Sequence, residues 1–150
     1  MVKMIIRKYQ PADCKTLTEL FYDTVHTVNA ADYTEEQLNA WAAGNADMEE
    51  WNRLLLETYS LVAIKNNMII GFGNISEKGY LDRLFVHKDY QRKGVATAIC
   101  DKLEEAVRGK IVTHASITAR PFFEKRGYKV IKEQQVERQG IILENFIMEK

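Results

Sequence analysis

The chain is short of the residues that staple, hinge or anchor a protein. It carries 2 cysteines in 150 residues, Cys14 and Cys100, far apart and each inside a helical pattern. That excludes a disulfide framework and any cysteine-based metal spacing, and two buried free thiols are the better reading. The 2 prolines and 8 glycines do not cluster, so there is no linker, no low-complexity tract and no repeat. Net charge is missing too, with 21 Lys and Arg balanced by 21 Asp and Glu. That argues against a nucleic-acid partner held by a broad basic surface, though not against a local basic patch. No apolar run approaches a membrane span, and MVKMIIRKYQ is too short an apolar start for a signal peptide. A cytoplasmic protein without a membrane partner is the expectation.

What is present is an ordinary globular composition, 46% hydrophobic and 28% charged, over a length that suits one domain, residues 1–150, with a real core. Residues 2–9 (VKMIIRKY) form a first strand, ended by Pro11. Asp13 can cap a helix that places Leu17, Leu20, Phe21, Val25 and Val28 on one face. Thr34-Glu-Glu-Gln37 is a capping box opening a short helix with Leu38 and Trp41. Asp47 to Glu50 starts another, with Trp51, Leu54 and Leu55. The period then changes: SLVAIKN and MIIGFGNIS are strands joined at Asn66-Asn67, and GYLDRLFV is a third. Val95, Ile99, Leu103 and Ala106 mark an amphipathic helix. KIVTHAS is a strand and TARPFFEKRG a short helix, with Thr118 as its cap and Gly127 just past its end. YKVIKEQQVE and IILENFIME close the chain as a hairpin around Gln139-Gly140. The order predicts one α/β domain.

Between the strand LDRLFV and the helix VATAICDKLEEAV lies QRKG, residues 91–94. Gly94 falls in the first turn, where backbone N–H groups have no partner within the helix. Without a Cβ it lets a ligand approach those groups, and Arg92 and Lys93 add charge where the helix dipole already favours an anion. A pyrophosphate cradle is one reading. A solvated turn with two surface cations explains the same residues.

YLDRLFVHKDYQRKGVATAICDKLEEA resembles the central motif of the GNAT superfamily of acetyl-CoA-dependent N-acyltransferases: a strand L-x-x-L-x-V, a loop, then Q/R-x-x-G-x-G/A opening a helix. Leu81, Leu84, Val86, Gln91, Gly94 and Ala96 match in order and spacing. The PAD helix start and ARPFFEKRGY before the last hairpin are similar to further family elements, so the resemblance spans nearly the whole chain. It implies the GNAT fold, an α/β (α+β) domain with a mixed, mostly antiparallel sheet of about six or seven strands flanked by helices. It also implies acetyl-CoA as co-substrate. Leu84, Phe85 and Val86 would pair with its pantetheine arm between two splayed strands. Gln91, Arg92, Lys93, Gly94, Val95, Ala96 and Thr97 would wrap the pyrophosphate, and Ser116 and Phe123 would also contact the cofactor. Many members have a tyrosine as general acid where this chain has Phe123. Such an acid is worth about 10²–10⁴-fold, but a thiol leaving group with an ordinary pKa of about 8.5 needs less help, and water or Ser116 can supply the proton.

An amine acceptor arrives as an ammonium and must lose a proton before it attacks. Asp82, on the strand face of Leu84 and Val86, is the first candidate for that base; a carboxylate paired with Arg83 or Lys78 is the plainer reading. His26 is the second, at the acceptor wall that the family builds from its first helices, though a cation at a helix C-terminus is equally ordinary there. Tyr33 and Trp41 belong to the same wall, and Trp41 reads equally as core. Spacing suggests no partner for His87 or His114, which read as structural. No metal site is expected.

The expected activity is acetyl transfer from acetyl-CoA to a primary amine of a small molecule or peptide, by direct attack in a ternary complex, since Cys100 faces its helix interior. A homodimer is in keeping with the resemblance. Two rivals stand: a catalytically silent acetyl-CoA-binding sensor, and an α/β interaction domain with no cofactor.

Overall fold

The computed structural model describes residues 3–150; Val2, the first residue expected in the opening strand, lies outside the described residues. Seven strands are found: β1 (Ile5–Lys8), β2 (Tyr59–Lys65), β3 (Met68–Ile75), β4 (Tyr80–Val86), β5 (Val112–Ser116), β6 (Lys129–Arg138) and β7 (Ile141–Glu149). Five helices join them: α1 (Cys14–Thr27), α2 (Glu35–Trp41), α3 (Met48–Glu57), α4 (Val95–Glu105) and α5 (Arg120–Lys125). The sheet order is β1-β2-β3-β4-β5-β7-β6. Every pair is antiparallel except β4 with β5, and that parallel step is the one that needs a helical crossover, supplied by α4.

Local chemistry accounts for most boundaries. Asn66 and Asn67 both take positive φ (54° and 62°) and turn β2 into β3. Gln139 and Gly140, at 50° and 79°, do the same for β6 and β7. The Thr34–Gln37 box forms as expected: Gln37 N–H donates to Thr34 Oγ1, and Thr34 N–H to Gln37 Oε1. Gly127 ends α5 at φ 93°. Two caps differ. The Asp13 carboxylate does not cap α1; it accepts the Gln10 N–H and both terminal nitrogens of Arg7, tying β1 to the turn before the helix. Thr118 does not cap α5, because its hydroxyl donates to Asp32 at 2.7 Å; Ser116 Oγ instead accepts the Ala119 N–H.

One face of the sheet is covered by α4 and α5, whose Val95, Ile99, Leu103 and Phe123 pack on Leu61, Ile70, Leu81 and Met148. The other carries α1, α2 and α3, with Leu17, Val25, Trp51 and Leu55 over Val62, Phe72 and Leu143. Cys14 and Cys100 are buried and unbridged, and burial pushes the Cys100 thiol up to about 12. Among the described residues no helix is long and apolar enough to cross a membrane, and no cluster of metal-ligating side chains occurs.

Two features of β4 set the shape of the sheet at its centre. It pairs with β5 only at Tyr80–Val112 and Leu81–Thr113, after which the two strands part. Against β3, Leu81 pairs with Ile75 and Arg83 with Asn74, so Asp82 is an extra, bulged residue. The alternation that would put Asp82 on the face of Leu84 and Val86 is interrupted there: Leu81 and Leu84, three apart, both pack toward α4, while Arg83 reaches Trp51 on the opposite side.

Candidate active site

The parted strands open a cleft of about 2230 Å³ that is continuous from the start of α4 to the wall formed by α1, α2 and α3. At one end it is lined by Gln91, Arg92, Gly94, Val95, Ala96 and Thr97, and at the other by Phe21, Trp41, Trp51 and Phe85. Between them lie Asp82, Arg83 and Leu84 from β4 and His114 and Ser116 from β5.

The helix end has a general chemistry that suits an anion. Gly94 has φ +84°, and a Cβ placed on it would meet no protein atom within 4 Å, so the space over the first turn is open. The first turn of α4 exposes its amide hydrogens toward that space, with Arg92, itself at φ 59°, beside them. Lys93 does not line the cleft; its ammonium lies 5.5 Å from the Tyr90 ring. The Gln91 amide is engaged, since Nε2 donates to the Val86 carbonyl at 2.6 Å and secures the loop to the end of β4. Two glycines missed in the sequence set the helix close to the sheet: a Cβ on Gly71 would stand 2.9 Å from Val95 Cγ1, and one on Gly73 3.1 Å from Ile99 Cγ2.

At the middle of the cleft, Arg83 Nη1 donates to Asp82 Oδ2 at 3.0 Å, and the guanidinium lies 4.4 Å over Trp51. Ser116 Oγ accepts from Ala119 N–H at 3.0 Å and from Asn29 Nδ2 at 3.4 Å; its own hydrogen is left free to donate. Phe123 is buried against Phe122 and Tyr128 and lines the cleft with its ring alone. Asn145 on β7, directly opposite Ser116, also lines the cleft. Its Oδ1 is shut away from solvent with no hydrogen-bond partner, and no other buried side-chain N or O among the described residues is left in that state. A buried carbonyl oxygen of this kind is costly unless a donor arrives with a ligand.

On the far wall, Tyr33 is locked by two bonds: its hydroxyl donates to the Glu144 carbonyl at 2.7 Å and accepts the Ile117 N–H at 2.9 Å. Burial pushes its ionisation up, against a lowering effect of the Ile117 N–H. Trp41 packs edge-on to Tyr33 and Phe21 and approaches Phe85. His26 is not part of the lining. Its Nε2 donates to the Ala42 carbonyl at 2.7 Å and its ring stacks on Tyr22, fastening α1 to the segment after α2. Thus Asp82, Ser116, Tyr33 and Trp41 are brought to one cleft with the α4 terminus, whereas His26 and Lys93 stand outside it.

A fold of this shape is shared with known proteins. The family model for the acetyltransferase (GNAT) domain matches residues 29–150. The chain belongs to the GNAT acetyltransferase family. An N-acetyltransferase of Escherichia coli (strain K12) called YafP, itself uncharacterized, is 38% identical over 143 residues, covering 95% of this chain and 93% of that protein. A GCN5-related N-acetyltransferase structure from Rhodopseudomonas palustris superposes with a TM-score of 0.94 at 30% identity, over 100% of this chain and 97% of that one. PaiA N-acetyltransferase from Thermoplasma acidophilum, solved with coenzyme A, has a TM-score of 0.78 at 22% identity, over 99% and 98% of the two chains, and supports the fold. The parting of β4 from β5 and the α4 terminus beside it thus lie in a chain of the GNAT acetyltransferase family.

Proposed function

We propose that this GNAT acetyltransferase moves an acetyl group from acetyl-CoA to a primary amine on a small molecule or peptide, by direct attack with both substrates bound. The observation that carries the reading is the cleft's continuity: an anion-binding helix terminus with unfilled space at Gly94 leads, along an unpaired strand edge, to an aromatic wall on the other side of the sheet. PaiA, a relative in fold, was solved with coenzyme A, which is in keeping with that terminus as the phosphate site.

The residues present fit the donor. The amides of Val95, Ala96 and Thr97, with Arg92, would hold its phosphates. The edge of β4 from Asp82 to Val86, which no strand pairs, offers backbone groups to the amides of its arm. When bound, acetyl-CoA supplies a thioester carbonyl open to a nucleophile. Asp82, with one oxygen on Arg83, presents the other to an incoming ammonium, and the free hydrogen of Ser116 is placed to protonate a departing thiolate in place of the phenol absent at Phe123. Phe21, Trp41, Trp51 and Phe85 would take the apolar body of the acceptor. Cys100 is closed in the core with its thiol protonated, which favours direct transfer over a covalent carrier.

A screen of amines, peptides and aminoglycosides, monitored by release of CoA thiol, tests the reading. Thiol release with at least one amine is expected. An acetyl-CoA-dependent rise in melting temperature with no thiol release from any acceptor would instead support a sensor. Absence of acetyl-CoA binding would remove both.

A further inference from the structure

Of the three histidines, His114 lines the cleft and His26 and His87 do not. His114 stands on β5 one residue past Thr113, the last residue that pairs with β4. It is thus the first residue on the β5 wall beyond the vertex where the strands part. Tyr80, at the matching end of β4, sets its ring edge-on to the imidazole with centroids 5.2 Å apart. Gln134 addresses Nδ1 at 3.4 Å, which leaves Nε2 without a protein partner. Spacing in the sequence could not indicate this site, because His114, Tyr80 and Gln134 come from three separate strands.

We infer that His114 is the base that takes the proton from the acceptor amine at the vertex of the cleft. This rests on the reading of the protein as an acetyl transferase to amines. The donor's phosphate end is fixed by the α4 terminus, and the unpaired edge of β4 runs from Val86 back to Asp82, about 13 Å at roughly 3.3 Å per residue. A chain laid along that edge ends at the vertex, facing His114.

The other groups there have different parts. Asp82 gives Oδ2 to Arg83 and turns its other oxygen to the charge of the ammonium. Both hydrogen-bonding directions of the Tyr33 hydroxyl are used. Ser116 is a donor. Tyr80 is pushed up by burial and by Asp82, so it remains a phenol. An imidazole can accept and release a proton near neutrality. A half-turn of the Gln134 amide lets its oxygen accept Nδ1–H, which puts the ring's lone pair on Nε2, the nitrogen with no protein partner. The ionisable groups around the ring are Tyr80, Asp82 and Arg83 from β4, Arg138 and Lys132 from β6, and Glu149 from β7, the last paired with Lys110. Asn145, two places along β7 from the residue opposite His114, offers its unpartnered Oδ1 to an N–H of the same amine.

The step balances. The ammonium gives one proton to His114, and its nitrogen then bonds to the thioester carbon. As the C–S bond breaks, the second proton leaves nitrogen and the sulfur departs as CoA thiol, by way of Ser116 or water. Imidazolium returns its proton to solvent, so the net products are the amide, CoA thiol and one proton.

The test uses the full chain and needs no known acceptor. The three histidine Cε1–H resonances, assigned with H26Q, H87Q and H114Q, are compared between the CoA and the acetyl-CoA complexes, which differ only in the acetyl group. The His114 resonance is expected to differ between the two and the others to coincide. An unchanged His114 resonance in a protein that binds acetyl-CoA would overturn the inference while leaving acetyl transfer standing; failure to bind acetyl-CoA would overturn both. With phenethylamine as acceptor, H114Q is expected to lower kcat about 100-fold, to leave the acetyl-CoA Kd unchanged and to remove the acid limb of the pH profile. Wild-type kcat with an unaltered limb in H114Q would overturn it. Where phenethylamine is not turned over, the resonance comparison decides alone.

Discussion

Gly71 of β3 lies under Val95, the first residue of α4, so closely that a Cβ on the glycine would stand 2.9 Å from Val95 Cγ1 and 3.2 Å from the Phe85 carbonyl oxygen. The start of α4 therefore rests on a strand position without a side chain. Gly71→Ala puts a methyl into that contact. Valine at position 95 has little rotamer freedom, so the helix start must lift. The expected cost is about 1–3 kcal/mol, with acetyl-CoA affinity falling more than stability alone explains. Urea unfolding and calorimetric titration with acetyl-CoA check the two effects separately; an unchanged affinity would show that the helix start does not depend on this contact.

Gly94 serves two requirements, a positive φ and open space, and one variant separates them. Asparagine tolerates the left-handed region and meets no protein atom at its Cβ. Gly94→Asn is expected to fold with a melting temperature within a few degrees of the wild type, since the conformational cost is about 1 kcal/mol. Its side chain would occupy the space over the helix amides, and acetyl-CoA affinity should drop at least tenfold. Wild-type affinity in this variant would mean the space is not where the phosphates sit.

Local chemistry made much of the fold legible. Asn66-Asn67, Gln139-Gly140 and the Thr34 capping box act within four residues of themselves, and each forms as its residue types dictate. The position of Gly94 at the start of α4 was legible because a strand and an amphipathic helix flank it. The bulge at Asp82 was not: a two-residue alternation cannot announce an inserted residue, and only pairing with β3 exposes it. The place of His114 and Asn145 at the cleft was not legible for a related reason. It comes from where β5 leaves β4 and from what lies across β7, relations between residues tens of positions apart. Gly71 and Gly73 look like weak points in a strand until α4 is set on them.

Asn145 sets stability against function. Its buried Oδ1 has no hydrogen-bond partner, which costs stability unless a donor meets it. Asn145→Leu replaces the amide with an apolar group of similar shape. Stability without ligand is expected to rise by about 1 kcal/mol, read as a higher urea midpoint at unchanged slope, while turnover in the thiol-release assay falls at least tenfold. A loss of stability would show that the amide is satisfied in the folded protein and would remove the case for its meeting a ligand.

Glu104 on α4 gathers four donor contacts: Nε and Nη2 of Arg126, the Tyr128 hydroxyl at 2.7 Å and the Lys150 ammonium at 3.2 Å. These join α4 to the segment just past α5 and to Lys150. Burial pushes the Glu104 carboxyl up, but the hydrogen bonds from Arg126, Tyr128 and Lys150 outweigh it and hold the group below the usual carboxylate range. A depressed folded-state value means the ionised form favours the fold. That contribution is complete above the unfolded-state value of about 4.3 and is lost as pH falls through the lower, folded-state value. Glu104→Gln should therefore cost about 2 kcal/mol at pH 7, and the gap between variant and wild type should hold down to roughly pH 5 and narrow below pH 4. Arg7 and Asp13 also lose their pairing in acid, but they do so in both proteins and cancel in the difference. Urea midpoints of the two proteins at pH 7, 5 and 3.5 check the sign; a gap that stays constant across all three would mean that the Glu104 charge does not hold α4 to α5.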